Sequence, residues 1–422
     1  MGKLTENSPW KRSNGDRKNH LIYHRSKFHE GDSMIKVWSF EFNQVPGKAL
    51  PDYYNQNLVQ KTFDNNLNLL ASLESVGFEG VFFSEHHFIN SMSPCPNLLV
   101  AALAARTKHM KIGVMGNVLP FHQPWRLAEE ISMLDYITSG RLEIGVSSGV
   151  PPEFFFIDMP IDQIRPRYKE ILDFLQMAST ETKISMNGKY YNFDEVTIMP
   201  PPRKESRRRH WVTIYSDTSC RDAAHRNFKV CTGFQSVRAA GEAFDAYRDE
   251  AANLGRDVGV DDIGIRRQIM LWPSQSEAEA LHAEFQVANQ ERMAQTFQTV
   301  YDRLSRGQEI EAEPADSVKQ SGVMDAAAVP HEVESQSNSV SVDKPTLNAK
   351  GGLDVSEDEF IFGTPANVAE QIIDQCERLG AGNIMAYHPP TMDEAQLAKN
   401  YELWSQVIPI LQKAKLGVPE PA

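Results

Sequence analysis

Between residues 34 and 411, short apolar runs alternate with longer stretches whose apolar residues recur every three to four positions. Met34-Ile35-Lys36-Val37-Trp38-Ser39-Phe40 reads as a first strand. From Asn57 to Val76, the apolar residues Leu58, Phe63, Leu67, Leu70 and Leu73 keep close to the helical period, and Gly77 suits the C-terminal cap. The same reasoning predicts strands at Gly80–Phe83, Lys111–Gly116, Leu142–Val146, Trp211–Tyr215, Phe228–Cys231, Ile263–Leu271 and Asn383–Tyr387. Helices are expected at Pro96–His109, Pro124–Ile137 and Ile161–Ala178, with a turn-rich excursion over 183–209. Phe360-Ile361-Phe362-Gly363 precedes Thr364-Pro365, an N-cap with proline at the first helical position. Val368, Ile372, Cys376 and Leu379 then form one apolar face, ended by Gly380. Eight strands alternating with helices indicate an α/β TIM barrel. A doubly wound sheet is the competitor, although it more often carries a Gly-rich first turn, which this chain lacks.

One segment breaks the alternation. Residues 308–359 contain no Phe, Trp or Tyr and are rich in Ser, Glu, Asp, Ala and Gly, a composition that buries too little apolar surface to order itself. It is expected to be a mobile low-complexity insertion, either a passive linker or a lid. Residues 1–33 are polar and are expected to form a disordered tail, leaving the barrel at 34–415 and a short C-terminal tail at 416–422.

The 422 residues, 41% of them hydrophobic, can build a sizeable core, and no apolar run approaches the roughly 20 residues of a membrane helix. A formal charge of −13 argues against a nucleic-acid partner. The one basic run, Arg203-Lys204 with Arg207-Arg208-Arg209, reads as a solvated loop. Cys95, Cys220, Cys231 and Cys376 show no CxxC spacing, which suits a reducing, cytoplasmic compartment and no structural metal.

The candidate chemistry lies in Phe82-Phe83-Ser84-Glu85-His86-His87-Phe88. It places an acid and two imidazoles just past a strand, where a barrel presents side chains to its reaction chamber. Histidine can take and return a proton near working pH. Taken alone, the motif reads equally well as a helix cap or a polar turn. A metal site is the weaker alternative, because adjacent residues leaving a strand diverge.

Several motifs then agree in order: Ser84-Glu85-His86-His87-Phe88; Gly113 to Trp125 with Leu119-Pro120 and Gln123-Pro124; Leu134-Asp135 with Ser139-Gly140-Arg141; the Gly145 strand; and Phe362-Gly363-Thr364-Pro365. The chain resembles the bacterial luciferase-like, flavin-dependent monooxygenases over about Met34 to Leu411. The resemblance implies a TIM barrel holding reduced FMN, delivered by a separate NAD(P)H:flavin reductase. The flavin would react with O2 through a C4a-(hydro)peroxyflavin to oxygenate a small, apolar organic substrate. The alternatives are F420-dependent hydride transfer on the same fold and a non-catalytic flavin-binding subunit.

By that resemblance, His86 is the catalytic histidine and Glu85 orients it, while His87 packs locally. Met115-Gly116 matches a non-prolyl cis peptide under the flavin ring, and Asn117 presents its amide toward flavin or substrate. At the phosphate site the chain departs from the family, with Ser147-Ser148-Gly149 where an arginine often precedes the glycine. Ser147 also takes the place of a reactive cysteine, so light emission is not the expectation. Arg165 matches a second phosphate-contacting arginine. The turn Tyr215-Ser216-Asp217-Thr218-Ser219-Cys220 offers hydroxyls and N–H groups at a helix start. Trp38, Phe40, Phe121, Phe234 and Trp272, with Tyr215, are candidate apolar pocket residues. The family's pairing through the helices after the second and third strands implies a homodimer.

Overall fold

The computed structural model describes residues 34–43, 55–88, 91–203, 210–288, 346–347, 353–354, 356–389 and 392–416. The tail 1–33, the Lys204–Arg209 portion of the basic run, residues 417–422 and most of the 308–359 insertion lie outside these residues. The strands are β1 (Lys36–Glu41), β2 (Gly80–Phe83), β3 (Lys111–Val118), β4 (Leu142–Ser147), β5 (Ile184–Asn187), β6 (Asn192–Val196), β7 (Trp211–Thr213), β8 (Lys229–Thr232) and β9 (Ile263–Leu271). After them come β10 (Thr346–Leu347), β11 (Leu353–Asp354), β12 (Phe360–Gly363) and β13 (Asn383–Tyr387).

Eight of these pair in parallel in the order β1-β2-β3-β4-β7-β8-β9-β13, and β13 returns to β1, which closes the barrel. The expected TIM barrel is therefore the observed fold. β5 and β6 form an antiparallel hairpin inside the expected excursion. β12 is a ninth parallel strand, paired to Gln268–Leu271 of β9 above the stretch that meets β8. Glu357–Glu359 form a short 3-10 turn ahead of it, so the last residues of the aromatic-free segment belong to the barrel.

Alternation along each strand divides the apolar residues into two cores. Outward residues such as Val37, Val81, Ile112 and Ile265 pack under the helices in one continuous layer. Inward residues Trp38, Phe40, Phe82, Met115, Trp211, Cys231 and Met385 fill the barrel itself. Trp38 stacks on Phe82 at 4.8 Å and meets Trp211 edge-on at 6.5 Å. This packing requires Gly80, where any Cβ would lie 2.5 Å from the Trp38 ring. These rings fill the barrel interior, and barrels of this kind bind their ligands at the C-terminal mouth.

Two expected elements are shorter than the pattern suggested. The helix from Pro96 ends at Ala104, because the Glu74 carboxylate accepts the backbone N–H groups of Lys108, His109 and Met110 and holds that stretch in an irregular turn. β7 stops at Thr213, since the N–H groups of Tyr215 and Ser216 turn to the Ser219 hydroxyl. No helix among the described residues is long and apolar enough to cross a membrane.

Candidate active site at the barrel mouth

The stretch after β2 brings Glu85, His86 and His87 to the C-terminal end of the barrel, but the two acid–imidazole pairings differ from expectation. His86 Nδ1 is hydrogen-bonded to Glu153 Oε1 at 2.7 Å, and the backbone N–H of His87 donates to the other oxygen of the same carboxylate. Glu153 is buried in the short helix Pro151–Phe154 that follows β4. The acid that orients His86 is thus Glu153, not Glu85. The His86 ring stacks on Phe42 at 5.5 Å, and among the described residues its Nε2 has no hydrogen-bond partner.

Glu85 serves a second cluster. Its carboxylate accepts from the Val118 N–H at 2.9 Å, from His122 Nε2 at 2.9 and 3.0 Å, and from His87 Nε2 at 3.1 Å. Burial pushes the Glu85 carboxyl up, but the hydrogen bonds from His122 and His87 and the nearby His122 charge outweigh it and hold the group below its ordinary range. Burial likewise depresses the His122 imidazole, and the Glu85 carboxylate outweighs that and raises it. His87 packs edge-on against Phe121 at 4.6 Å, in keeping with its expected local role.

Beside this cluster, the Met115-Gly116 link is cis, as the resemblance implied. The β3–β4 pairing is interrupted between Val114 and Asn117, and a Cβ on Gly116 would lie 2.6 Å from the Val146 backbone. Asn117 is buried; its amide donates to the Gly145 carbonyl, and among the described residues its Oδ1 has no partner.

Val146 connects this floor to an open cleft lined by Ser147, Ser148, Arg165, Tyr168, Tyr215, Ser219 and Asp222, among others. Ser147 Oγ accepts from the Gly149 N–H. Arg165 lies 5.2 Å over the Tyr168 ring, and among the described residues no carboxylate reaches it within ion-pair distance. Asp222 is engaged by Arg226 at 3.3 Å. At the start of the helix Asp217–His225, Ser216 and Ser219 cap each other reciprocally, which consumes part of the donor set offered there. Cys220 does not reach the cleft. Its side chain is fully buried in the outer core, its thiol is pushed up to about 12 by burial, and its N–H donates to the Ser216 carbonyl.

Of the expected pocket aromatics, Phe121 and Phe234 reach the mouth. Trp38 and Phe40 are in the barrel core, and Trp272 packs in a satellite cluster with its indole N–H on Glu277. The pattern gave no cue for Phe42, Glu153 or Tyr387. His122 was visible inside a quoted motif. Arg266-Arg267 is a readable signal, two adjacent cations within a mostly apolar strand.

The closed barrel thus carries an acid-oriented histidine at its mouth and an adjoining cleft with hydroxyls and an arginine. The chain belongs to the luciferase-like monooxygenase family, whose sequence profile matches residues 45–382. It is 25% identical over 334 residues to protein y4wF of Sinorhizobium fredii, covering 78% of this chain and 85% of the relative. It is 28% identical over 183 residues to the oxygenase component of the flavin-dependent trigonelline monooxygenase of Acinetobacter baylyi, covering 42% of this chain and about half (49%) of that protein. In structure, it is similar to the oxygenating constituent of 3,6-diketocamphane monooxygenase of Pseudomonas putida in complex with FMN. That match has a TM-score of 0.65 and 20% identity, over 91% of this chain and 99% of the other.

Proposed function

We propose that the protein is the oxygenase component of a two-component monooxygenase that takes reduced FMN from a separate NAD(P)H:flavin reductase and oxygenates a small organic substrate with O2. The observation that carries the reading is His86, fixed through Nδ1 by Glu153 and left with Nε2 at the mouth beside the Met115-Gly116 floor.

The residues present fit FMN. The orphaned Asn117 Oδ1 can accept from the ring's N–H edge, and Arg165 with Ser147, Ser148 and Ser219 can hold the phosphate in the adjoining cleft. When bound and reduced, the flavin supplies the electrons that activate O2. The protein supplies positioning and protons. His86 Nε2 exchanges a proton with the reacting centre, while Glu153 keeps the imidazole in one tautomer and orientation. Glu85 acts at one remove, tying the stretch after β2 to the end of β3 through Val118 and His122. Phe42, Phe234 and Tyr387 provide apolar walls that exclude water.

A homodimer through the helices Pro96–Ala104 and Pro124–Ile137 is supported by Leu98, Trp125, Met133, Tyr136 and Ile137, all exposed on them. The four free cysteines support a cytoplasmic setting.

The decisive experiment titrates the purified protein anaerobically with reduced FMN and with reduced F420, then measures O2 uptake when a reductase supplies reduced FMN. Tighter binding of reduced FMN and flavin-dependent O2 uptake are expected. Binding of F420 alone would move the protein to hydride transfer, and FMN binding without any O2 chemistry would make it a flavin-binding subunit.

A further inference from the structure

β9 carries two consecutive arginines whose side chains leave opposite faces of the strand. Arg267 faces the helix Pro365–Leu379, where its Nε donates to Gln375 at 2.7 Å. Arg266 lies on the inward side with Gly264, in register with Met385 of the barrel interior. Its guanidinium stacks 3.7 Å over the Phe234 ring and lies 5.5 Å from that of Tyr387. Tyr387 meets Phe42 edge-on at 4.8 Å, and Phe42 carries His86. Arg266 is therefore part of the same mouth wall as the candidate catalytic histidine.

The hydrogen-bonding capacity around it is not fully used. Arg266 and Arg267 are both buried, and both are paired to one carboxylate, that of Glu359. That carboxylate also accepts the Phe234 N–H, and the neighbouring Asp358 carboxylate accepts the Val237 N–H instead of a guanidinium. Among the described residues, three buried atoms here have no partner: Arg266 Nη1, Arg267 Nη2 and Gln235 Nε2. All three are donors. Buried donors are rarely left unpaired, and here one carboxylate is divided between two buried guanidiniums. What such a group lacks is an acceptor with negative charge.

We infer that Arg266 receives the carboxylate of the organic substrate, which makes the substrate an aromatic or otherwise apolar carboxylate. A carboxylate matches the planar guanidinium fork, and Phe234, Tyr387 and Phe42 supply the apolar wall for the rest of the molecule. The inference rests on the oxygenase reading above and refines its substrate class.

Benzoate and benzamide have the same shape and differ in charge, so their binding to the full chain by isothermal titration calorimetry isolates the effect. Benzoate should bind the wild-type protein about tenfold or more tighter than benzamide. Arg266→Met should abolish that preference with the FMN Kd within about twofold of wild type, and Arg266→Lys should restore part of it. Equal binding of the two probes to the wild-type protein would overturn the proposal without reference to any variant. So would an Arg266→Met protein that keeps the preference, or one that loses benzoate and FMN affinity together, since the anion would then be the flavin. If O2 uptake with reduced FMN is absent while the benzoate preference persists, the oxygenase reading fails and the anion site stands.

Discussion

The Glu85–His122 pair predicts an unusual dependence of stability on pH. His122 Nε2 contacts both carboxylate oxygens at 2.9 and 3.0 Å; Glu85 is almost fully buried and the His122 side chain is 22% exposed. A charge-assisted hydrogen bond of this kind contributes about 1.5–3 kcal/mol, and partial exposure places this one toward the low end, about 1.5–2 kcal/mol. Glu85 titrates below its ordinary value, so its contribution is present above about pH 4.3 and is lost as pH falls through the folded-state value. His122 titrates above its ordinary value, so its contribution is complete below about pH 6.5 and is lost as pH rises through the folded-state value. The pair is therefore strongest between about pH 4.3 and 6.5. A double-mutant cycle of Glu85→Gln, His122→Gln and both, read by urea unfolding, should give a coupling of about 1.5–2 kcal/mol at pH 5.5 that is larger than at pH values below the Glu85 carboxyl or above the His122 imidazolium. A coupling near zero at pH 5.5 would show that His122 is not held as an imidazolium by Glu85.

Three further outcomes are expected. His86→Ala should lower reduced-FMN-dependent product formation about 10²–10⁴-fold, and Glu153→Gln about 10-fold or more through lost orientation, with flavin affinity changed less than about twofold in each; wild-type turnover in either would remove that residue from the mechanism. Arg165→Ala should weaken FMN about 10-fold or more and leave riboflavin unchanged in fluorescence titrations, because riboflavin lacks the phosphate; equal losses for both would place Arg165 elsewhere. Glu359→Gln leaves two buried guanidiniums without their shared anion and should destabilise the protein by about 3–5 kcal/mol in urea unfolding, far more than the exposed pair Lys183–Glu195 would on losing Glu195.

The barrel was legible because its signal is periodic: inward Trp38 and Phe40 alternate with outward Val37, and Leu67, Leu70 and Leu73 repeat on one helix face. The catalytic neighbourhood was legible only as far as local motifs reach. Glu85 and His86 are adjacent in the chain, so pairing them was the natural reading, yet neighbouring residues leaving a strand point apart. Their true partners come from loops after other strands, Glu153 from beyond β4 and His122 from beyond β3. Cys220 failed as a ligand for a related reason. Helical periodicity turns it into the core while Ser219, one residue earlier, faces the cleft. Glu359 belongs by composition to the aromatic-free insertion, and only its two buried guanidinium partners mark it as part of the barrel.

The pairing of β12 with β9 has an architectural consequence. The chain leaves the barrel at Leu271 and re-enters at Phe360, which pairs with Gln268. Exit and return are thus three residue steps apart along one strand, about 10 Å, and the Trp272 N–H on the Gly363 carbonyl at 2.9 Å pins the junction. Glu359, the residue before the return, is held by Arg266 and Arg267, so the chain re-enters the barrel at a fixed point on β9. Doubling the length of a loop closed between fixed ends adds only about 0.6 kcal/mol of closure entropy, so an insertion placed ahead of Glu359 would leave the strand register below intact. Length could therefore vary on that side of the barrel while His86 and its carboxylate, which come from the stretches after β2 and β4, stay in place.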